Sequence, residues 1–76
     1  MSKKNILVIG GSGFIGSHLV DTLVSKNFNV IVFDLKKSKW LNEDCIFHKG
    51  NISNLKLINR LIKKVDIVYN FAGVSD

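Results

Sequence analysis

Two runs of four consecutive apolar residues, Ile6-Leu7-Val8-Ile9 and Val30-Ile31-Val32-Phe33, stand out from a chain in which apolar and polar positions otherwise mix. Neither run alternates, so each predicts a strand buried on both faces of a parallel sheet rather than a strand with one wet face. The first strand is expected over residues 4–9 and the second over Val30 to Phe33, stopping at Asp34. Between them Phe14, Ile15, Leu19, Val20, Leu23 and Val24 recur at the helical period, with Asp21, Ser25 and Lys26 on the opposite face. That pattern predicts a helix of about three turns. Asn27-Phe28-Asn29 breaks it, completing a β-α-β unit.

Leu35 to Asp44 is polar and lysine-rich apart from Trp40 and Leu41, and reads as a loop or a short irregular helix. Cys45-Ile46-Phe47-His48 predicts a short third strand. Ser53 is placed to cap a second helix running to about Lys64, in which Leu55, Ile58 and Ile62, flanked by Leu57 and Leu61, form the apolar stripe. Asp66 reads as the turn residue before a fourth strand, Ile67 to Phe71. Strands alternating with helices imply an α/β fold, a parallel sheet with right-handed crossovers and helices packed on it, in strand order 3-2-1-4. No internal repeat, low-complexity tract or proline-rich linker interrupts the chain.

Length and composition narrow the picture. Seventy-six residues suffice for one small domain, in a size range where a single core supplies roughly 3–5 kcal/mol. A content of 46% hydrophobic and 22% charged residues belongs to an ordinary globular protein and excludes a disordered one. The longest apolar runs fall far short of the ~20 residues that span a bilayer, and Met1-Ser2-Lys3-Lys4 leads straight into a strand pattern, so no membrane partner and a cytoplasmic location are expected. A lone cysteine, Cys45, forms neither an internal disulfide nor a thiolate metal site, and is expected as a small buried apolar residue.

The net charge of +5 raises the question of a nucleic-acid partner. The lysines are dispersed as Lys3-Lys4, Lys36-Lys37-Lys39 and Lys63-Lys64, without interleaved aromatic stacking platforms. Solvated faces and loop rims are the expected role, and no nucleic-acid partner is anticipated. The middle cluster is also suited to attracting an anionic dinucleotide.

The strongest chemical signal is Gly10-Gly11-Ser12-Gly13-Phe14-Ile15-Gly16, which lies between the first strand and the first helix. It reads either as G-x-x-G-x-x-G from Gly10, Gly13 and Gly16, or as G-x-G-x-x-G from Gly11, Gly13 and Gly16. In both, glycine permits a tight turn, lets the backbone approach a pyrophosphate and lets helix and strand pack closely. The amides of the first helical turn then face the anion, aided by the positive end of the helix dipole. Asp34 follows Gly16 by 18 positions, near the roughly 20 expected of a carboxylate that accepts from the adenosine ribose hydroxyls. Such a carboxylate repels a 2′-phosphate, so NAD is expected over NADP, although Lys36 and Lys37 beside it are able to grip a phosphate instead.

With its flanks, Gly10-Gly11-Ser12-Gly13-Phe14-Ile15-Gly16-Ser17-His18-Leu19 resembles the opening of the extended short-chain dehydrogenase/reductases, the sugar-nucleotide epimerase and dehydratase group. The resemblance extends over essentially the whole chain: to Asp34, to Gly50-Asn51-Ile52 after the third strand, and to Asp66-Ile67-Val68-Tyr69-Asn70-Phe71-Ala72-Gly73 in the fourth. It implies the N-terminal half of a Rossmann fold, with residues 1–76 a partial NAD-binding domain whose substrate and catalytic parts are absent. It further implies backbone amides of Phe14 and Ile15 on the pyrophosphate, Asn51 and Ile52 on the adenine, and Phe71, Ala72 and Gly73 along the ribose and nicotinamide side. The family commonly carries aspartate at Asn51, and often histidine and alanine where this chain has Asn70 and Gly73. Its chemistry rests on a serine or threonine and a Tyr-x-x-x-Lys motif; here Tyr69 is followed four places on by Gly73.

Other residues carry less. His18 and His48 sit on different elements with no metal-ligand spacing around them and are expected to be structural or exposed. Ser12, Ser17 and Ser75 form no nucleophile elbow, and Ser12 is better suited to hydrogen-bonding ligand or loop. Trp40 is expected to pack as a cover over the sheet edge, with a lid over the adenine pocket as the alternative. Two functions follow from the resemblance: the cofactor-binding portion of an enzyme that transiently oxidises a sugar nucleotide, or a non-catalytic NAD(P)-binding sensor or regulatory module of the same fold. A third expectation is physical. The apolar fourth strand forms an open sheet edge and invites self-association.

Overall fold

The computed structural model describes residues 3–72. Its elements run β1 (Asn5–Ile9), α1 (Phe14–Ser25), β2 (Asn29–Asp34), β3 (Ile46–Lys49), α2 (Leu55–Ile62) and β4 (Ile67–Asn70). The four strands form one sheet in the order β3-β2-β1-β4, with every neighbouring pair parallel. This is the expected α/β half of a Rossmann fold.

Side-chain alternation explains why both long apolar runs carry no polar residue. From β1, Ile6 and Val8 join Val30 and Val32 of β2 beneath Val20 and Leu23 of α1. Leu7 and Ile9 face the other way, joining Phe33 of β2 beneath Ile58 and Leu61 of α2. A central strand covered on both faces needs an apolar residue at every position. Each side chain so buried contributes roughly 1.5–3 kcal/mol of transfer free energy.

Helix α1 ends as its sequence suggests. Asn27 takes a left-handed conformation with φ of 70°, Asn27 N donates to Val24 O at 2.9 Å, and Phe28 N donates to Leu23 O at 3.2 Å. This paired arrangement satisfies the last carbonyls of the helix, and asparagine tolerates the left-handed backbone better than most residues. Phe28 then packs against the α1-side core.

Several boundaries and burials differ from expectation. The first and third strands each begin one residue later, at Asn5 and Ile46, and β4 ends at Asn70 instead of Phe71. Asn54, not Ser53, caps α2, because Asn54 Oδ1 accepts from Leu57 N at 3.2 Å. The helix closes at Ile62 instead of Lys64. Of the anticipated stripe only Ile58 is buried, together with Leu61, while Leu55 is 65% exposed and Ile62 also lies outside the core. Likewise Phe14 and Ile15, read as part of the α1 stripe, are exposed.

The connection from β2 to β3 passes through residues 35–45 without a helix, although a crossover between parallel strands usually carries one. Leu41, 6% exposed, supplies the apolar cover on the α1 side in its place. Trp40 does not pack as expected. It is 73% exposed, and Lys39 Nζ lies 4.8 Å from the centre of its ring. Cys45 is half-buried instead of fully buried, with Sγ donating to Asn42 O at 3.1 Å.

Candidate dinucleotide-binding site

The C-terminal ends of β1 and β2 and the start of α1 meet at the glycine turn. Gly10 leaves β1 with φ of +79°, a left-handed conformation in which a side chain is strained. Its N–H donates to Phe33 O at 2.8 Å, which fastens the turn to the end of β2. Gly16 marks the closest approach of helix and turn: a Cβ there would stand 2.6 Å from Gly10 O and 2.8 Å from Gly11 Cα. Gly11 lies over the sheet, where a Cβ would meet Val32 and Val8 methyls at 2.9 and 3.0 Å. Thus one glycine of the run is needed for its backbone conformation and two for space.

Gly13 is the N-cap of α1, and no side chain caps the helix there. Helix geometry leaves the first-turn N–H groups without carbonyl partners inside the helix, and the dipole adds positive potential at the same place. Ser17 Oγ donates to Phe14 O at 3.0 Å within the same turn.

Asp34 closes the site from β2. Its Oδ2 accepts from Ser12 N at 3.0 Å and its Oδ1 from Leu35 N at 2.7 Å. Ser12 serves the loop, as one of its expected roles has it: Ser12 Oγ accepts from Ser38 N at 3.2 Å. Each carboxylate oxygen retains a further lone pair for an outside donor.

Beside Asp34 opens a cleft of about 190 Å³, lined in part by Gly10, Asp34, Gly50, Ile52 and Ala72. The structure therefore brings four of the sequence-predicted residues, Gly10, Asp34, Ile52 and Ala72, onto one cavity. Ser12, Gly13, Asp34 and Lys36 line a second cleft, which shares Asp34 with the first. Asn51 is exposed and lines neither; its Oδ1 accepts from Ser53 N at 2.9 Å. Phe71 packs against the α1-side core, with its N–H donating to Ile9 O at 2.7 Å. Gly73, like Ser75, lies outside the described residues. Among those described, no group of histidine, cysteine or acidic residues is arranged to hold a metal ion, and no helix is long and apolar enough to cross a membrane.

Two contributors, Phe33 and Leu35, are not legible in the motif, and a third, Gly50, stands in it without a role. Phe33 and Leu35 line the 190 Å³ cleft, and Gly50 is there because a Cβ would stand 2.7 Å from Phe33 Cε2 and Cζ. A glycine directly after the third strand, opposite a buried phenylalanine at the end of the second, is the available signal. Asn70 fixes the end of β4 by accepting from Ala72 N at 2.9 Å.

Comparison with known proteins identifies the family and the fold. Residues 6–76 match the model of the NAD dependent epimerase/dehydratase family. A UDP-glucose 4-epimerase of Neisseria meningitidis serogroup A is 32% identical over 84 aligned residues, covering 95% of this chain and 25% of its own. Among solved structures, UDP-glucose 4-epimerase of Thermotoga maritima with UDP-glucose superposes with a TM-score of 0.77 at 37% identity, over 87% of this chain and 23% of that one. The Bordetella bronchiseptica enzyme WbmH in complex with NAD+ superposes with a TM-score of 0.80 at 26% identity, over 91% of this chain and 26% of that one. The chain spans about a quarter of the length of the curated relatives it matches.

Proposed function

The chain belongs to the NAD-dependent epimerase/dehydratase family, and on that premise we propose that it is the cofactor-gripping part of an oxidoreductase acting on a sugar nucleotide. The observation that carries the proposal is a convergence at one edge of the sheet. The first turn of α1, the Asp34 carboxylate and the cleft lined by Gly10, Ile52 and Ala72 all adjoin the same glycine turn.

In this reading the turn from Gly10 to Gly16 lies under the pyrophosphate, with the Phe14 and Ile15 amides donating to it. Asp34 accepts from the adenosine ribose hydroxyls, and Ile52 with Phe33 and Leu35 forms an apolar slot for the adenine. Asn51 adds a hydrogen bond to the base edge with its remaining acceptor capacity. Ala72 and the segment through Gly73 border the ribose and nicotinamide side. When bound, NAD supplies a hydride acceptor, the chemistry that the protein fold alone lacks.

NAD is the cofactor and NADP the weaker ligand, because Asp34 disfavours a 2′-phosphate. Residues 1–76 act as a partial domain: the relatives' substrates and catalytic steps are assigned to a longer polypeptide, since Tyr69 has glycine where a Tyr-x-x-x-Lys motif requires lysine. A cytoplasmic setting agrees with the single free cysteine.

Calorimetric titration with NAD, ADP and adenosine tests the proposal. Saturable binding of NAD and ADP, each tighter than adenosine and lost in Gly16→Val, is the expected result. Equal binding of all three, or binding unaffected by Gly16→Val, would overturn it.

A further inference from the structure

Lys3-Lys4 and Lys63-Lys64 lie sixty positions apart along the chain, and the fold makes them neighbours. The parallel pairing of β1 with β4 begins with Ile6 opposite Ile67. Just before it, Asn5 N donates to Asp66 Oδ2 at 2.8 Å and Asn5 Nδ2 reaches Lys64 O at 3.5 Å. The two lysine pairs therefore share one corner of the molecule, where β1 begins and α2 ends. Lys56, Arg60 and Lys63 follow one another at spacings of four and three, which puts them on one side of α2 and extends the corner into a track. All six basic residues are exposed. They are six of the chain's 11, and the other five are set against six acidic residues, so the track holds the whole positive excess. The dispersal of the lysines is a property of the sequence and not of the fold.

Nothing in the chain neutralises this track. Among the described residues none of the six forms an ion pair, and the carboxylate of Asp66, the acid at the same corner, is engaged by Asn5 N. Lys56 and Arg60 are like charges four apart, and Lys56 lies in the first turn of α2, where the helix dipole disfavours a cation. Both arrangements cost a helix stability that an anionic partner restores.

The surroundings select among anionic partners. Protein interfaces are depleted in lysine and centre on buried aromatic or aliphatic anchors, whereas Ile58 and Leu61 of α2 are already packed against the sheet. The exposed Leu55 and Ile62 stand two turns apart with Asn59 between them, so no continuous apolar face is left to sink into a lipid surface. A row of exposed cations without stacking aromatics fits the closely spaced phosphates of a duplex, which are gripped without reading bases. Lys56 to Lys63 covers roughly 10 Å of helix axis, the length of about three phosphates on one strand.

We propose that this corner binds double-stranded nucleic acid through its phosphate backbone, independently of sequence. Lys3 and Lys4 precede β1 and the glycine turn follows it, so five residues of strand, roughly 17 Å, separate the two sites. The inference goes beyond the dinucleotide reading and does not depend on it.

Fluorescence anisotropy of a short labelled DNA duplex, titrated with the full chain from low to physiological salt, tests it. The expected result is micromolar affinity at low salt and a slope of log affinity against log salt of about −3 to −5, as for four to six phosphates. Arg60→Ala/Lys63→Ala/Lys64→Ala should bind at least about tenfold more weakly and lose about two to three from the slope. Lys36→Ala/Lys37→Ala/Lys39→Ala removes the same charge from the other end of the sheet and should cost less than about threefold. All six substituted residues are exposed, and circular dichroism verifies that both variants keep the fold. Equal losses in the two variants, a slope shallower than about −2, or a duplex bound no more tightly than anionic vesicles or polyglutamate overturns the inference.

Discussion

The backbone N–H of Ser12 donates to Asp34 Oδ2 at 3.0 Å, across 22 positions of sequence. One carboxylate thereby ties the glycine turn to the end of β2, so Asp34 shapes the site as well as facing a ligand from it.

Replacing Asp34 with alanine should accordingly cost stability in the absence of any ligand. Two backbone donors lose a charged acceptor in a half-buried setting, and about 1–3 kcal/mol is expected. Asp34→Asn keeps one acceptor oxygen and should recover part of the loss. Urea unfolding of the three proteins measures this, and an alanine variant as stable as the native chain would mean that the bond orders nothing.

Gly16→Ala sets two effects against each other. Alanine is the better helix former by roughly 1 kcal/mol, but its Cβ would stand 2.6 Å from Gly10 O and 2.8 Å from Gly11 Cα, both backbone atoms. Overpacking of this kind costs typically about 1–3 kcal/mol, so destabilisation should win. The start of α1 must also move off the turn, and NAD affinity should fall by tenfold or more. Thermal unfolding with and without NAD reads both effects.

Asn54→Ala removes the side-chain bond from Leu57 N that caps α2, and should lower stability by about 1 kcal/mol. Ser53→Ala, one residue earlier, should change it by less than about 0.5 kcal/mol. Comparable losses at the two positions would contradict the assignment of the cap.

Burial pushes the Cys45 thiol above its ordinary pKa, against the opposing pull of the Lys37 charge. Alkylation at neutral pH should therefore be slower than for a free cysteine. The sign for stability follows from linkage: a thiol whose pKa is raised by folding contributes fully below its unfolded value, and that contribution is lost as pH climbs through the folded value. Native and Cys45→Ala chains should thus diverge in the alkaline range, the native chain losing stability more steeply. Parallel profiles would leave the thiol without this role.

Element order, strand order and the glycine turn were legible because β1 and β2 are buried on both faces and so carry unbroken apolar runs. Finer choices depend on tertiary context. Ser53 and Asn54 are both good caps, and only the reach of Asn54 to Leu57 N decides between them. Trp40 and Leu41 are adjacent apolar residues in a loop, and the core has room for the smaller one. Leu55 and Ile62 extend the apolar pattern of α2 but lie off the face that Ile58 and Leu61 turn to the sheet. In the candidate site, the motif pointed to Gly10, Gly16 and Asp34, whereas the place of Gly50 rests on a contact with Phe33 that no local pattern encodes.

The pairing of β1 with β4 also sets a schedule for synthesis. Asn5 and Asp66 exchange hydrogen bonds across 61 positions, and Ile6 pairs with Ile67. At ribosomal rates of about 5–20 residues per second, β1 waits on the order of seconds for its partner. During that interval the run Ile6-Leu7-Val8-Ile9 has one edge unpaired, even after β2 has arrived. A nascent chain of this design has a defined period in which holdase chaperones compete with folding, and it closes when β4 emerges.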